Sequence, residues 1–189
     1  PQVFDVYRIN VNTGDMTVVG QNPGNITGWQ TDHNGKLRVA ITTDGVNSSV
    51  LYRDSENQEF KPLLTTTFKE TFAPLFFTFD NKNLYVSTNI GRDKASIVEY
   101  DIPNKKEIKV LYENPDYDVN GLSYSRKRKV IEFANYTGWK QEYHFFDKET
   151  KDIYSDLISK LPGKELAITG INKNEDKLSF YMEADADSL

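Results

Sequence analysis

The chain has 189 residues, a length that suits one domain or at most two small ones. Its 28 acidic side chains against 23 basic ones give a net charge of -5, which argues against a nucleic-acid partner, because such partners select basic surfaces. With no cysteine it makes no disulfide, thiolate nucleophile or Cys-ligated zinc site, and no apolar run approaches the ~18 residues of a membrane-spanning helix.

The chain opens Pro1-Gln2-Val3, without methionine, a basic leader or an apolar leader core, so a processed or excised chain is expected. A short apolar-aromatic segment follows, Val6 to Asn10, then the polar turn Asn12-Thr13-Gly14-Asp15 and a second apolar stretch, Met16 to Val19. The unit returns at Val50 to Asp54, before Ser55-Glu56-Asn57-Gln58 and Phe60 to Leu64. It returns again at Ile97 to Asp101, before Pro103 to Lys106 and Ile108 to Leu111. A last copy runs from His144 to Asp147, then Glu149 to Lys151 and Ile153-Tyr154. The closing residues Asn10, Asp54, Asp101 and Asp147 lie 44, 47 and 46 residues apart. A second hairpin pattern falls between these copies, and its markers Leu37, Leu84, Val130 and Leu178 are 47, 46 and 48 apart. Gly45, Gly91 and Gly138 keep the same period, at 46 and 47.

Apolar residues alternate within the units, as in Leu37, Val39, Ile41 and in Leu178, Phe180, Met182. Period two with β-branched and aromatic enrichment means strands. Each unit reads as four strands, Ile153-Tyr154 being the fourth of its copy. Four strands repeating about every 46 residues predict an all-β chain, a β-propeller of four-stranded blades. Helix is expected only as about one turn near Asp156 to Leu161, stopped by Pro162-Gly163, under about a tenth of the residues. With strands labelled A to D from the axis outward, the chain starts at C and stops after B. The expected blades are 25–65, 71–112 and 117–156, flanked by half-blades 1–20 and 166–183. The halves either pair to close a small four-bladed ring or are ends of a larger one. The mid-blade start favours the larger ring, whose bare edges would support an edge-mediated dimer.

This pattern, a strand pair around an Asp-Asn-Gly-Lys-like turn, an aliphatic-Tyr strand, then Asn/Asp-x-x-Thr-Gly, resembles a known family. It is similar to the N-terminal β-propeller of prolyl oligopeptidase-family serine peptidases of the acylaminoacyl-peptidase and dipeptidyl-peptidase types. TolB-type propellers share the repeat. The family's usual Ser-Pro-Asp-Gly turn has no Pro in any unit here, and its Gly survives only at Gly35. The resemblance implies a non-catalytic propeller that filters or orients peptide substrate for an α/β-hydrolase domain of the same protein. No adjacent Glu-Glu pair, the family's grip on a free amine, occurs in the chain.

The chemistry-bearing residues fit that non-catalytic reading. Gly121-Leu122-Ser123-Tyr124-Ser125 is the nearest string to Gly-x-Ser-x-Gly, but it lacks the second Gly and runs into a hairpin where a nucleophile elbow needs a helix. No catalytic residue is assigned. Arg126-Lys127-Arg128-Lys129 reads as a solvated hairpin turn, His33 as a surface turn residue and His144 as a strand filler. Neither histidine has a second one at ligand spacing. The acidic tail from Glu183 to Asp187 lacks the Gly turn and distal Glu of a calcium loop. No metal site or cofactor is expected. Binding candidates come from the B–C loops, which gather on one propeller face: Arg92, Tyr136 and Trp139 are residue types enriched at binding hot spots. The alternative function is a TolB- or WD40-like protein-interaction scaffold without catalysis. A self-contained glycan-cleaving propeller would need converging acidic pairs at the blade starts, and the repeats carry none.

Overall fold

The computed structural model describes residues 3–184, in two compact units, 1–115 and 116–189. The first unit opens with strands β1 (Val6–Ile9) and β2 (Met16–Gly20), paired as a two-stranded sheet. Next come β3 (Ile26–Thr31), β4 (Leu37–Thr43), β5 (Ser48–Tyr52) and β6 (Lys61–Thr66), then β7 (Phe72–Phe77), β8 (Leu84–Thr88), β9 (Ser96–Asp101) and β10 (Lys106–Tyr112). Each set of four forms one antiparallel sheet in chain order, β3-β4-β5-β6 and β7-β8-β9-β10. Such meanders are β-propeller blades.

The core of the first unit lies between its two complete blades. Val39, Val50 and Leu63 from the first blade pack with Phe77, Leu84, Val86, Val98 and Tyr100 from the second. Leu84, Val86 and Val98 have no solvent exposure. A single sheet has two faces and no interior, so the apolar residues at alternating positions are buried only when a neighbouring blade covers them.

Turns add polar ties across the same boundary. The A–B turn requires a left-handed residue, supplied by Gly35 at φ 72°, by Asn81 at 59° and by Glu175 at 55°. Asn81 then accepts a hydrogen bond through Oδ1 from the His33 amide at 3.0 Å, and its carbonyl accepts one from Arg38 Nη1 at 2.8 Å. His33 lies 2.8 Å through Nε2 from the Phe77 carbonyl, which only accepts, so Nε2 carries the proton. Its ring stacks on Phe79. The expectation that His33 is a plain surface residue is therefore corrected: the turn of one blade rests on the next, and His33 is half-buried between them. The opening half-sheet is held in the same way. Arg8 bonds to Glu56 and to the Gly35 carbonyl, and Trp29 donates to the Phe4 carbonyl. Gly20 sits so close to blade one that a Cβ there would lie 2.6 Å from Leu37 Cδ2.

The second unit contains β11 (Val119–Ser125), β12 (Val130–Thr137) and β13 (Gln141–Phe145) as a three-stranded antiparallel sheet. Helix α1 (Lys148–Lys160) follows, then the hairpin of β14 (Lys164–Ile171) and β15 (Leu178–Ala184). Here one expectation fails. Ile153-Tyr154 is not the fourth strand of blade 117–156, and the helix is 13 residues rather than one turn. Asp147 caps it, accepting from the Thr150 amide, Glu149 lies in its first turn and Lys160 in its last. Lys148–Asp152 and Asp156–Lys160 pair at i,i+4. Tyr154 is buried among Phe133, Tyr143 and Phe145, with ring centroids 5.1 to 5.4 Å away. Of the acidic tail, Glu183 and Ala184 continue β15, while Asp185 to Asp187 lie outside the described residues.

Because Leu84 is buried at the boundary between two blades and Val110 is half-exposed on an outer strand, the two should respond differently to truncation. Leu84→Ala is expected to cost about 2–5 kcal/mol in urea unfolding, and Val110→Ala no more than about 0.5 kcal/mol.

Candidate functional site

The three loop candidates occupy two kinds of setting. In the first unit Arg92 follows the end of β8, its side chain 23% exposed, with Nη2 bonded to Glu107 Oε2 at 2.6 Å. Its Nη1 is buried without a hydrogen-bond acceptor. Arg92 lines an open cleft of about 430 Å³ with Lys94, Glu113 and Asn114. In the second unit Tyr136 stacks on Tyr117 at 5.8 Å and donates to Glu142 Oε2 at 2.9 Å, so it is held in place. Trp139, at the tip of the β12–β13 loop, is 93% exposed.

Sequence reading missed a pocket of about 280 Å³ within the second unit. Phe133, Ile153, Tyr154, Ile168 and Leu178 make up the apolar part of its lining, and Ser123, Arg128, Glu132, Glu149 and Glu175 its polar part. Arg128 is the hub of the polar lining. It reaches Asp147 at 2.7 Å, Glu132 at 3.1 Å, Glu149 at 3.3 Å and the Thr150 hydroxyl at 3.0 Å. The expectation of a uniformly solvated basic turn is corrected here. Arg128 turns inward because the helix cap sets Asp147 and Thr150 beside it, while Arg126 and Lys129 stay exposed. The Asp147-x-x-Thr150 capping pattern, followed by Tyr154, Leu157, Ile158 and Leu161 at helical spacing, was the signal that would have revealed both helix and hub.

Electrostatics follow from these contacts. Burial alone would raise the Asp147 carboxyl, but hydrogen bonds from Thr150 and the Arg128 guanidinium outweigh it and hold its pKa below the usual range. Glu175 likewise resists its own burial, through bonds from Ser125 and the Lys127 amide, and is lowered. Burial pushes the Tyr154 phenol well up, so it stays neutral.

Ser123, inside β11, donates to Glu132 Oε2 on β12 at 2.9 Å, and is not presented on a strand-to-helix elbow. His144 lies exposed on β13, not filling a strand interior, with its ring edge-on to Phe146 and its pKa lowered by partial desolvation. Among the described residues no group of three or more His, Cys, Asp or Glu side chains is placed to hold a metal ion.

No protein-family model matches the chain. The dipeptidyl aminopeptidase BIII of Pseudoxanthomonas mexicana is 26% identical over 122 residues, which are 64% of this chain and 18% of that protein. The matched stretch thus spans under a fifth of the relative's length. Among solved structures, the β-propeller domain of the Trilobed protease from Pyrococcus furiosus aligns with a TM-score of 0.46 at 12% identity, covering 96% of this chain and 61% of that one.

The Asp147 contacts generate a specific expectation. Asp147→Ala removes the helix cap and leaves Arg128 with one carboxylate fewer, so far-ultraviolet helical signal and unfolding stability should both fall. The cap alone accounts for about 0.5–2 kcal/mol. Since the folded pKa values of Asp147 and Glu175 lie below those of the unfolded chain, their stabilisation is complete at neutral pH. It is lost as pH drops below about 4. Acid titration of Asp147→Ala should accordingly show a shallower loss of stability over that window than the parent chain.

Proposed function

We propose, from a blade architecture and a sequence match that support a propeller of the prolyl oligopeptidase family, that this chain is a propeller portion of a serine peptidase. Its role is to admit and orient peptide for an α/β-hydrolase domain of the same protein. The observation that carries the reading is the 26% identity to a dipeptidyl aminopeptidase, in a chain whose sheets repeat as four-stranded meanders. The B–C loops are the proposed contact surface. Arg92, held by Glu107, lines an open cleft, and Trp139 offers a bare aromatic face. In the first unit such loops are held by their own polar bonds: the Asp44 carboxylate accepts from Val46 and from the Asn47 backbone and side chain, and its pKa falls to about 2.

An interaction scaffold of the TolB or WD40 type is the second reading, favoured by the exposure of Trp139. The coding sequence beyond Leu189 separates the two. A following hydrolase domain with Gly-x-Ser-x-Gly supports the peptidase reading; further blades and a stop codon overturn it. On either reading Ser123 is inert. A serine-reactive fluorophosphonate should leave the 189-residue chain unlabelled at neutral pH. Stoichiometric labelling at Ser123 would contradict the assignment.

A further inference from the structure

We propose that the pocket of about 280 Å³ in the second unit binds a small arylalkylammonium ion, one aromatic ring on a short chain ending in an amine. This inference does not rest on the peptidase reading.

The pocket is built by internal elements. Every lining residue belongs to β11, β12 and the turn between them, to α1, or to the β14–β15 hairpin. Glu132 and Phe133 sit near the start of β12, whereas Trp139 lies beyond its far end. At about 3.3 Å per residue the two are roughly 20 Å apart along the strand, so the pocket is distinct from the B–C loop surface.

Size selects the body of the ligand. An apolar cavity of about 150 Å³ holds benzene, and a pocket of about 280 Å³ leaves room for one ring and a short chain. Ile168 and Leu178 supply aliphatic contact, and Phe133 meets Tyr154 edge to face at 5.4 Å. A ligand ring can extend that aromatic cluster in the same geometry.

Charge selects the head. Arg128 is the one cation of the lining, set among the carboxylates of Glu132, Glu149 and Glu175, with Asp147 a fourth against its guanidinium. One positive charge against four negative ones leaves the site anionic. Both terminal nitrogens of Arg128 are engaged, Nη1 by Asp147 and Glu149, Nη2 by Glu132 and Thr150. Each has two N–H groups and two acceptors, so an anionic ligand finds no guanidinium donor there. The positive end of α1 does not reverse this sign, because Asp147 takes the Thr150 amide and Glu149 lies in the first turn.

Glu149 marks the seat of the ammonium group. Its side chain is 67% exposed, Oε2 accepts one bond from Arg128 at 3.3 Å, and Oε1 accepts none among the described residues. Ile153 follows at i+4 on the same helix face, which sets the carboxylate beside the apolar lining. A charged nitrogen at Glu149 keeps its contact with water while the ring leaves it, which avoids the cost of burying an ion.

Phenethylammonium is the probe, titrated into the 189-residue chain carrying labelled isoleucine and leucine methyl groups and followed by NMR. Saturable shifts are expected at Ile153, Ile168 and Leu178, with millimolar or tighter dissociation. Phenylpropionate, an anion of similar shape, should bind roughly tenfold more weakly or worse, and ethylammonium, which lacks the ring, likewise. Glu149→Gln, an exposed change that spares the Asp147 cap, should weaken the amine roughly three- to tenfold without weakening phenylpropionate. Ile153→Trp, which fills the pocket from a half-exposed helix position, should abolish the shifts at Ile168 and Leu178 while the helical circular-dichroism signal persists. Shifts that fail to saturate or that fall elsewhere, equal binding of amine and carboxylate, or an amine affinity unchanged in Glu149→Gln would overturn the proposal.

Discussion

A blade has no interior of its own, and the packing of the repeats follows from that constraint. Each antiparallel sheet is one layer thick, so its apolar positions are buried only by the sheet beside it. The polar ties between repeats keep this arithmetic in view. Arg8 to Glu56, the His33 amide to Asn81 and the Lys127 amide to Glu175 each span 48 residues, about one repeat. They join equivalent regions of successive units, at the edge of the apolar contact, where they fix how one sheet sits on the next. In the first unit this makes the core a boundary between blades rather than the centre of one.

Much of this was legible because the repeat is written in turns as well as in strands. Asn10, Asp54, Asp101 and the Leu37 series mark the strand ends, and alternation marks the buried face. Contacts between turns were less visible. His33 looks like any polar hairpin residue, and only the presence of Phe77 and Phe79 one repeat later makes it an inter-blade tie. The same holds for Arg128. Within a run of four basic residues nothing separates it from its neighbours until the chain brings Asp147 and Thr150 alongside.

The third repeat shows where periodic reasoning overreaches. Ile153-Tyr154 occupies the slot that a strand fills in the other units, and the period alone predicts a strand there. Local chemistry decides otherwise: a capped start at Asp147, paired charges at i,i+4 and a burial site for the Tyr154 ring stabilise a helix there. That local change puts the helix residues Glu149, Thr150, Ile153 and Tyr154 into the lining of the 280 Å³ pocket, together with Ile168 and Leu178 of the β14–β15 hairpin. Site residues such as Glu132, Glu149 and Glu175 had no sequence signal, since each is an ordinary surface-type carboxylate until the helix places Arg128 among them.

The central claim, that blades of the first unit stand by leaning on each other, is tested most directly by amide hydrogen exchange on Asn81→Gly. Glycine keeps the left-handed backbone at φ 59° and removes only the side-chain acceptor for the His33 amide. If the repeats form one cooperative unit, protection should fall together in β4 of the first blade and β8 of the second. A loss confined to the β7–β8 hairpin, with β4 unchanged, would contradict the account.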